Sequence, residues 1–168
     1  MNTEPSQKST AAWGKKGEYL VVLQVALLSA FIFLPFYPVS SGFELIEPLS
    51  FFRWTTLIVC WVIAILFGTL GLHQIKHSLT PLPYPVERNQ LVTTGIYALV
   101  RHPLYSSQLF AAFGWSFFHM SLSHLLMTGS GFLFFSYKAS REEQWLTERH
   151  PEYADYARHV KKFIPYIY

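Results

Sequence analysis

The segment Gly95-Ile96-Tyr97-Ala98-Leu99-Val100-Arg101-His102-Pro103-Leu104-Tyr105 sets a cationic Arg-His pair against the start of an apolar stretch, with Pro103 at the junction. Proline cannot continue a preceding helix without losing a hydrogen bond, yet its fixed φ suits the first turn of a new one. A helix is therefore expected to start near His102 or Pro103, and its free N–H groups and positive end join Arg101 and His102 in a natural anion site. A second cluster, Glu142-Glu143, follows the next apolar stretch. Two clusters of opposite charge thus flank one apolar hairpin and can meet at the same membrane surface, with a zwitterion between them. Neither pair is diagnostic alone. Arg-His at a helix start also reads as a headgroup anchor, and Glu-Glu as a solvated helix face paired with Lys138 at helical spacing.

The elements that must position these clusters are apolar. Hydrophobic residues make up 51% of the 168 and charged residues 14%, richer in apolar side chains than a soluble domain of this size requires. Residues 19–36 and 54–72 carry no charged side chain and approach the roughly 20 residues that cross a hydrocarbon core. The first run is also longer than the about 7 to 15 residues of a secretory signal core. Residues 104–120 and 122–137 lie near the short end of the spanning range and read as a tight helical hairpin. The expected fold is an all-α integral membrane protein: about four transmembrane helices, the last two a hairpin, followed by a cytoplasmic amphipathic tail helix. A polar N-terminal tail, residues 1–17, precedes a single domain over residues 18–168.

Lysine and arginine sort by loop. Lys8, Lys15 and Lys16 precede the first span, Lys76, Arg88 and Arg101 separate the second from the third, and Lys138, Arg141, Arg149, Arg158, Lys161 and Lys162 follow the fourth, with Arg53 alone in the first external loop. By the positive-inside rule both termini and the central loop are cytoplasmic, and a bacterial inner membrane is the expected location. The net charge of +3 then reflects basic loops beside anionic lipid and calls for no nucleic-acid partner. Oligomeric state is not legible.

Prolines at alternate positions, Pro81, Pro83 and Pro85, force an extended path able to line or roof a site. Gly95 reads as a turn with positive φ or close backbone approach, and a helical turn is expected over residues 97–100. Pro151 stops or kinks the helix continuing from the fourth span, and residues 152–160 space Tyr153, Tyr156 and Val160 for a surface helix. His73 and His77 stand four apart, but no third ligand lies nearby, so no metal is expected. His119 and His124 read as interfacial, Gly129-Ser130-Gly131 as a close helix contact, Trp54 and Trp115 as interface or helix contacts, and Cys60, the lone cysteine, as a small buried residue.

The ordered set Thr93-Thr94-Gly95-Ile96-Tyr97-Ala98-Leu99-Val100-Arg101-His102-Pro103-Leu104-Tyr105, an apolar hairpin, Glu142-Glu143-Gln144-Trp145-Leu146 and the Tyr153, Tyr156, Val160, Ile164-Pro165 series resembles the isoprenylcysteine carboxyl methyltransferase family and its bacterial relatives, which include phospholipid methyltransferases. The resemblance covers residues 78–165, the expected cofactor-binding part. It implies a membrane enzyme using S-adenosyl-L-methionine held at the cytoplasmic side. The family's cofactor contacts fall on Leu91, Val92, Tyr97, His102, Pro103, Leu104, Tyr105 and Glu142, with Leu91 and Val92 as apolar walls. Arg101, His102 and the helix N-terminus would take the cofactor carboxylate, and Glu142 or Glu143 its ammonium or the ribose hydroxyls. The family's substrate-associated basic position falls on Lys138 in place of the expected arginine, with Arg141 as the substitute, and Glu143 is the candidate base for an amine acceptor.

The expected function is S-adenosylmethionine-dependent methylation of a lipophilic acceptor entering from the bilayer, a prenylcysteine-like carboxylate first, a phospholipid amine or small thiol second. An already ionised carboxylate needs no base, so the absence of a catalytic triad is no objection: orientation alone can lower a barrier by about 7–11 kcal/mol. The contrasting class is a non-catalytic membrane subunit or transporter of the same fold. Transport calls for ionisable residues inside the spans, and residues 19–36 and 54–72 hold none except at their edges.

Overall fold

The long apolar runs form helices because nothing within them competes for the backbone. The computed structural model describes residues 17–38, 47–76 and 91–168. Within them lie α1 (Glu18–Phe33), α2 (Glu47–Ile75), a 3₁₀ turn over Gly95–Ala98, α3 (Pro103–Phe118), α4 (Leu122–Arg149) and α5 (Tyr153–His159). The polar tail with Lys8, Lys15 and Lys16, His77, Arg88 and the proline-rich run lie outside the described residues. Among the described residues the fold is all-helical, with two isolated bridges, Pro38 to Ser121 and Val100 to Lys161.

Leu49–Ile75 is the one described segment long and apolar enough to cross a membrane by length and composition. Its outward side leaves Phe51, Phe52, Ile58, Ile65 and Leu70 exposed. α1 and α3 have 16 residues each, about 24 Å at 1.5 Å per residue and shorter than a 30 Å hydrocarbon core. α4 is different, because its 28 residues carry the apolar run and the Glu142-Glu143 pair on one unbroken rod.

α2 and α3 run antiparallel along a seam of small residues, the arrangement that lets two helix backbones approach closely. Gly71 faces Pro103, Gly68 faces Ser107, and a Cβ on Gly114 would lie 2.8 Å from the Cβ of Cys60. Cys60 is buried, as its sequence context suggested. At the hairpin end Arg53 donates to the Phe118 carbonyl at 2.6 Å, supplying a cation to the last turn of α3. The hairpin turns through Met120, at φ 47°, and Ser121 caps α4.

α1 closes the bundle over α4. Leu20 packs with Phe134, Phe135, Ala139 and Phe163, and the chain after α1 is pinned to the hairpin where Leu122 N–H donates to the Tyr37 carbonyl at 2.9 Å. Two sequence expectations fail here. Among the described residues a Cβ on Gly129 or Gly131 would meet nothing within 4 Å, so this pair makes no close contact with the described helices. His124 is 1% exposed, stacks on Phe36 and bonds Ser121 through Nδ1 at 2.8 Å, so it is a packed core residue where an interfacial one was expected.

The α2–α3 seam makes Gly114→Ala an overpacking change, expected to cost about 1–3 kcal/mol. Thermal unfolding in detergent checks it: the midpoint falls for Gly114→Ala, and adding Cys60→Gly recovers part of the loss although each single change destabilises, a favourable coupling in the double-mutant cycle. Additive losses would show that the seam has room.

Candidate functional site

The site is assembled by the ends of three helices and the C-terminal strand-like segment. Gly95 adopts φ +60°, a left-handed conformation that favours glycine, and a Cβ there would also displace the Gln74 amide of α2, whose Nε2 would lie 1.7 Å away. Ile96 and Val100 are then buried against Phe67 of α2. Beyond them Arg101 N–H donates to the Lys161 carbonyl at 2.8 Å and His102 N–H to the Lys162 carbonyl at 3.1 Å. Ser106 Oγ adds a bond to the Phe163 carbonyl at 2.8 Å. The C-terminal segment is thereby laid alongside the start of α3, which has His102 at its N-cap and Pro103 at its first position. This matches the start the proline implied.

The two charged clusters meet directly. Arg101 Nε donates to Glu143 Oε1 at 2.8 Å, His102 Nε2 lies 3.0 Å from the same oxygen, and Lys162 Nζ lies 3.5 Å from Oε2. Arg101 also donates through Nη1 to the carbonyls of Ala157 and Val160, closing the C-terminus of α5. Its guanidinium is therefore committed within the protein on both sides. Glu142 occupies a second station, accepting from Tyr105 Oη at 2.5 Å, with His102 Nδ1 at 3.5 Å from its other oxygen. His102 thus faces one carboxylate with each ring nitrogen.

The two neighbouring glutamates are driven apart electrostatically. Burial raises the Glu142 carboxyl above the ordinary carboxylate value, against the opposing pull of His102, the Tyr105 hydroxyl and Lys138. Burial would also raise Glu143, but bonds from His102 and Arg101, with their charges, hold it down to about 2. Lys138 is lowered by burial, with Glu142 working in the other direction. Tyr97, Tyr153 and Tyr156 are all raised, chiefly by burial, Tyr156 to about 12, so their hydroxyls remain protonated. Tyr156 uses its proton on the Tyr97 carbonyl at 2.5 Å, fastening α5 to the 3₁₀ turn.

Of the residues expected at the site, Arg101, His102, Tyr105, Glu142 and Glu143 form this one network, and Lys138 adjoins it with Nζ 5.1 Å from the Tyr105 ring centroid. Tyr97 borders it. Leu91 and Val92 are half-buried just ahead of the turn. Pro103 and Leu104 pack toward Gly71 of α2 and so hold the start of α3 in place. Arg141 does not join the network: its guanidinium bonds Gln144 Oε1 at 3.1 Å and lies over Trp145. Sequence reasoning missed Gln24, Gln108, Ser106 and Lys162. Gln24 did carry a signal, being an amide in an otherwise apolar run, whereas nothing local marks Ser106.

Because Glu143 is depressed in the folded state, its stabilising contribution is complete above the ordinary carboxyl value of 4.5 and is lost as pH falls toward about 2. The thermal midpoint of wild type should therefore drop steeply below about pH 4.5. Glu143→Gln should lower the midpoint at pH 7, by an amount corresponding to about 1.5–3 kcal/mol for weakened charged hydrogen bonds, and flatten the acid slope. An acid slope identical to wild type would remove Glu143 from the centre of the network.

The chain matches the profile of the family described as phospholipid methyltransferase over residues 52–153, from α2 through the first residue of α5. It is also 35% identical over 80 residues to the cobalt-zinc-cadmium resistance protein CzcN of Cupriavidus metallidurans, a match covering 47% of this chain and 37% of that protein. The chain thus aligns with little more than a third of the length of this relative. Because the profile covers well over half of the sequence, including both charged clusters and the hairpin between them, the chain belongs to the phospholipid methyltransferase family.

Proposed function

We propose that this protein is an S-adenosylmethionine-dependent membrane methyltransferase whose acceptor is a lipophilic carboxylate of the prenylcysteine type. The observation that carries the reading is the convergence of His102 and Tyr105 from one flank of the hairpin with Glu142 from the other, next to a cavity of about 500 Å³ walled almost wholly by apolar side chains, one of them Phe135, on which Tyr105 stacks. Four crossings, cytoplasmic termini and an interfacial tail belong to the same proposal, supported by Arg53 lying at the hairpin turn and Arg101, Lys138 and Lys162 at the opposite end.

The residues present fit the cofactor. Glu142 is a carboxylate whose burial calls for a cationic partner, and the Tyr97 ring offers the apolar and π surface that an adenosine and a sulfonium require, while Tyr105, stacked between His102 and Phe135, contributes its hydroxyl to fixing Glu142. Glu142, Tyr97, Tyr105 and His102 would hold it, with Leu91 and Val92 as walls and Pro103 and Leu104 fixing the helix start. When bound, S-adenosylmethionine supplies a methyl group on a sulfonium centre. Arg101, spent on Glu143 and α5, acts as a positioning residue for His102. Because a carboxylate acceptor has no proton to lose, the chain's task is to orient it and keep water away.

A second reading, methylation of a phospholipid amine, is favoured by one observation. The raised carboxyl of Glu142 suits it to take a proton from an ammonium, whereas Glu143, held at about 2, is a poor base.

Titration of the purified protein in detergent with S-adenosylhomocysteine tests the reading. Saturable binding is expected, weakened at least tenfold in His102→Ala and Glu142→Gln, with folding verified by thermal melts. Absence of binding by the folded wild type would leave the non-catalytic membrane subunit. Labelled methyl transfer into a lipid extract then separates acceptors, product in the amine fraction favouring the second reading.

A further inference from the structure

A line of polar contacts runs from the charged network into the apolar cavity. Lys138 Nζ donates to Gln24 Oε1 at 2.6 Å, Gln24 Nε2 donates to Gln108 Oε1 at 3.1 Å, and Gln108 Nε2 donates to the Leu104 carbonyl at 3.0 Å. Three helices are linked by it, α4 to α1 to α3. Gln24 and Gln108 also line the cavity, whose remaining wall includes Leu27, Phe31, Leu109, Trp115 and Phe135. Thr128, a third polar residue of the lining, spends its hydroxyl on the His124 carbonyl at 2.8 Å. The two glutamines are therefore the polar end of the cavity, and that end abuts Lys138.

Lys138 is 3% exposed. Among the described residues its hydrogen-bond partner is a neutral amide and its other close neighbour is the face of Tyr105, and the ion pairs formed there do not include it. Glu142 acts on it only through space. A buried cation with no ionic partner is costly, and an ammonium has three donors of which Gln24 uses one. Glutamate at position 24 would have neutralised the lysine. Glutamine orients the ammonium and leaves its charge for a ligand.

We propose that Gln24 is a specificity-determining residue that holds Lys138 as the counter-ion for an anionic head group, so that a single-chain amphiphile with a carboxylate head lies with its chain in the cavity and its head at Lys138. The inference deepens the proposed function and rests on it for the chemistry that follows binding. Its own content is a preference for carboxylate over amine set by a residue of α1, outside the segment 52–153 that the family profile matches. A cavity of about 500 Å³ falls within the range of roughly 300–1,000 Å³ typical of small-molecule sites.

Matched probes of one chain length, dodecanoate and dodecylamine, test the proposal by calorimetric titration at pH 7 into the full chain in lipid nanodiscs, with empty nanodiscs subtracted. Each titration is run with and without S-adenosylhomocysteine. Wild type is expected to bind dodecanoate saturably and at least tenfold more tightly than dodecylamine. Gln24→Leu should weaken dodecanoate about tenfold. Gln24→Glu keeps an acceptor for Lys138, so its thermal midpoint stays at or above that of wild type, yet it should reverse the preference toward the amine. A merely structural glutamine would leave that preference unmoved. No saturable dodecanoate binding by wild type, equal affinity for both probes, or an unchanged preference in Gln24→Glu would overturn the proposal. Failure of S-adenosylhomocysteine to bind would instead remove the methyltransferase reading and leave the carboxylate readout standing.

Discussion

The ion pair between Arg101 and Glu143 is the constraint on which the rest of the site depends. Both side chains are mostly withdrawn from water, and a charge so placed is tolerated only when paired and hydrogen-bonded. Arg101 meets that demand with one carboxylate and two carbonyls, and in doing so joins the approach to α3, the C-terminal part of α4 and the end of α5. His102, the next residue, is carried to a point between the two glutamates. The arginine that the sequence offers as a ligand for a small-molecule carboxylate is bonded within the protein, to Glu143 and to two carbonyls at the end of α5.

The consequence is a division of labour between adjacent residues. Glu142 and Glu143 share a helix turn but face different partners, so one is buried with incomplete compensation and the other is over-satisfied by cations. The same division separates Arg101 from Lys138: the first is neutralised within the protein, whereas the second rests on an amide and an aromatic ring. In general, a group whose charge a fold leaves uncompensated is the one able to serve a ligand, whereas a group whose charge is cancelled internally serves stability.

The bundle supplies the geometry for this. α2 and α3 approach through glycine, cysteine and proline, which brings the start of α3 firmly against the end of α2 and leaves α4 and α1 to splay around a cavity. Gly131, which sequence reasoning assigned to close packing, lines that cavity instead. A small residue between two helices can draw them together or leave space, and which of these occurs depends on whether a neighbour is there to fill it.

The helical character of the chain, the start of α3 at Pro103 and the turn at Gly95 were legible in the sequence, because proline geometry, glycine conformation and apolar run length are local properties of the chain, whereas the two charged clusters, expected to face each other across a zwitterion, bond each other directly. The tertiary structure alone decided which members of each cluster touch. Whether Arg101 bonds Glu142 or Glu143 depends on the rotation of α4 and the docking of α5, set by burial of Leu20, Phe134, Phe135 and Phe163 far along the chain. Gln24 acquires its partner, Lys138, across 114 residues, a distance at which sequence pattern carries no register. Local rules determine what each segment can be. Which side chains share a site is decided by long-range packing, where burial and the cancellation of buried charge are satisfied together.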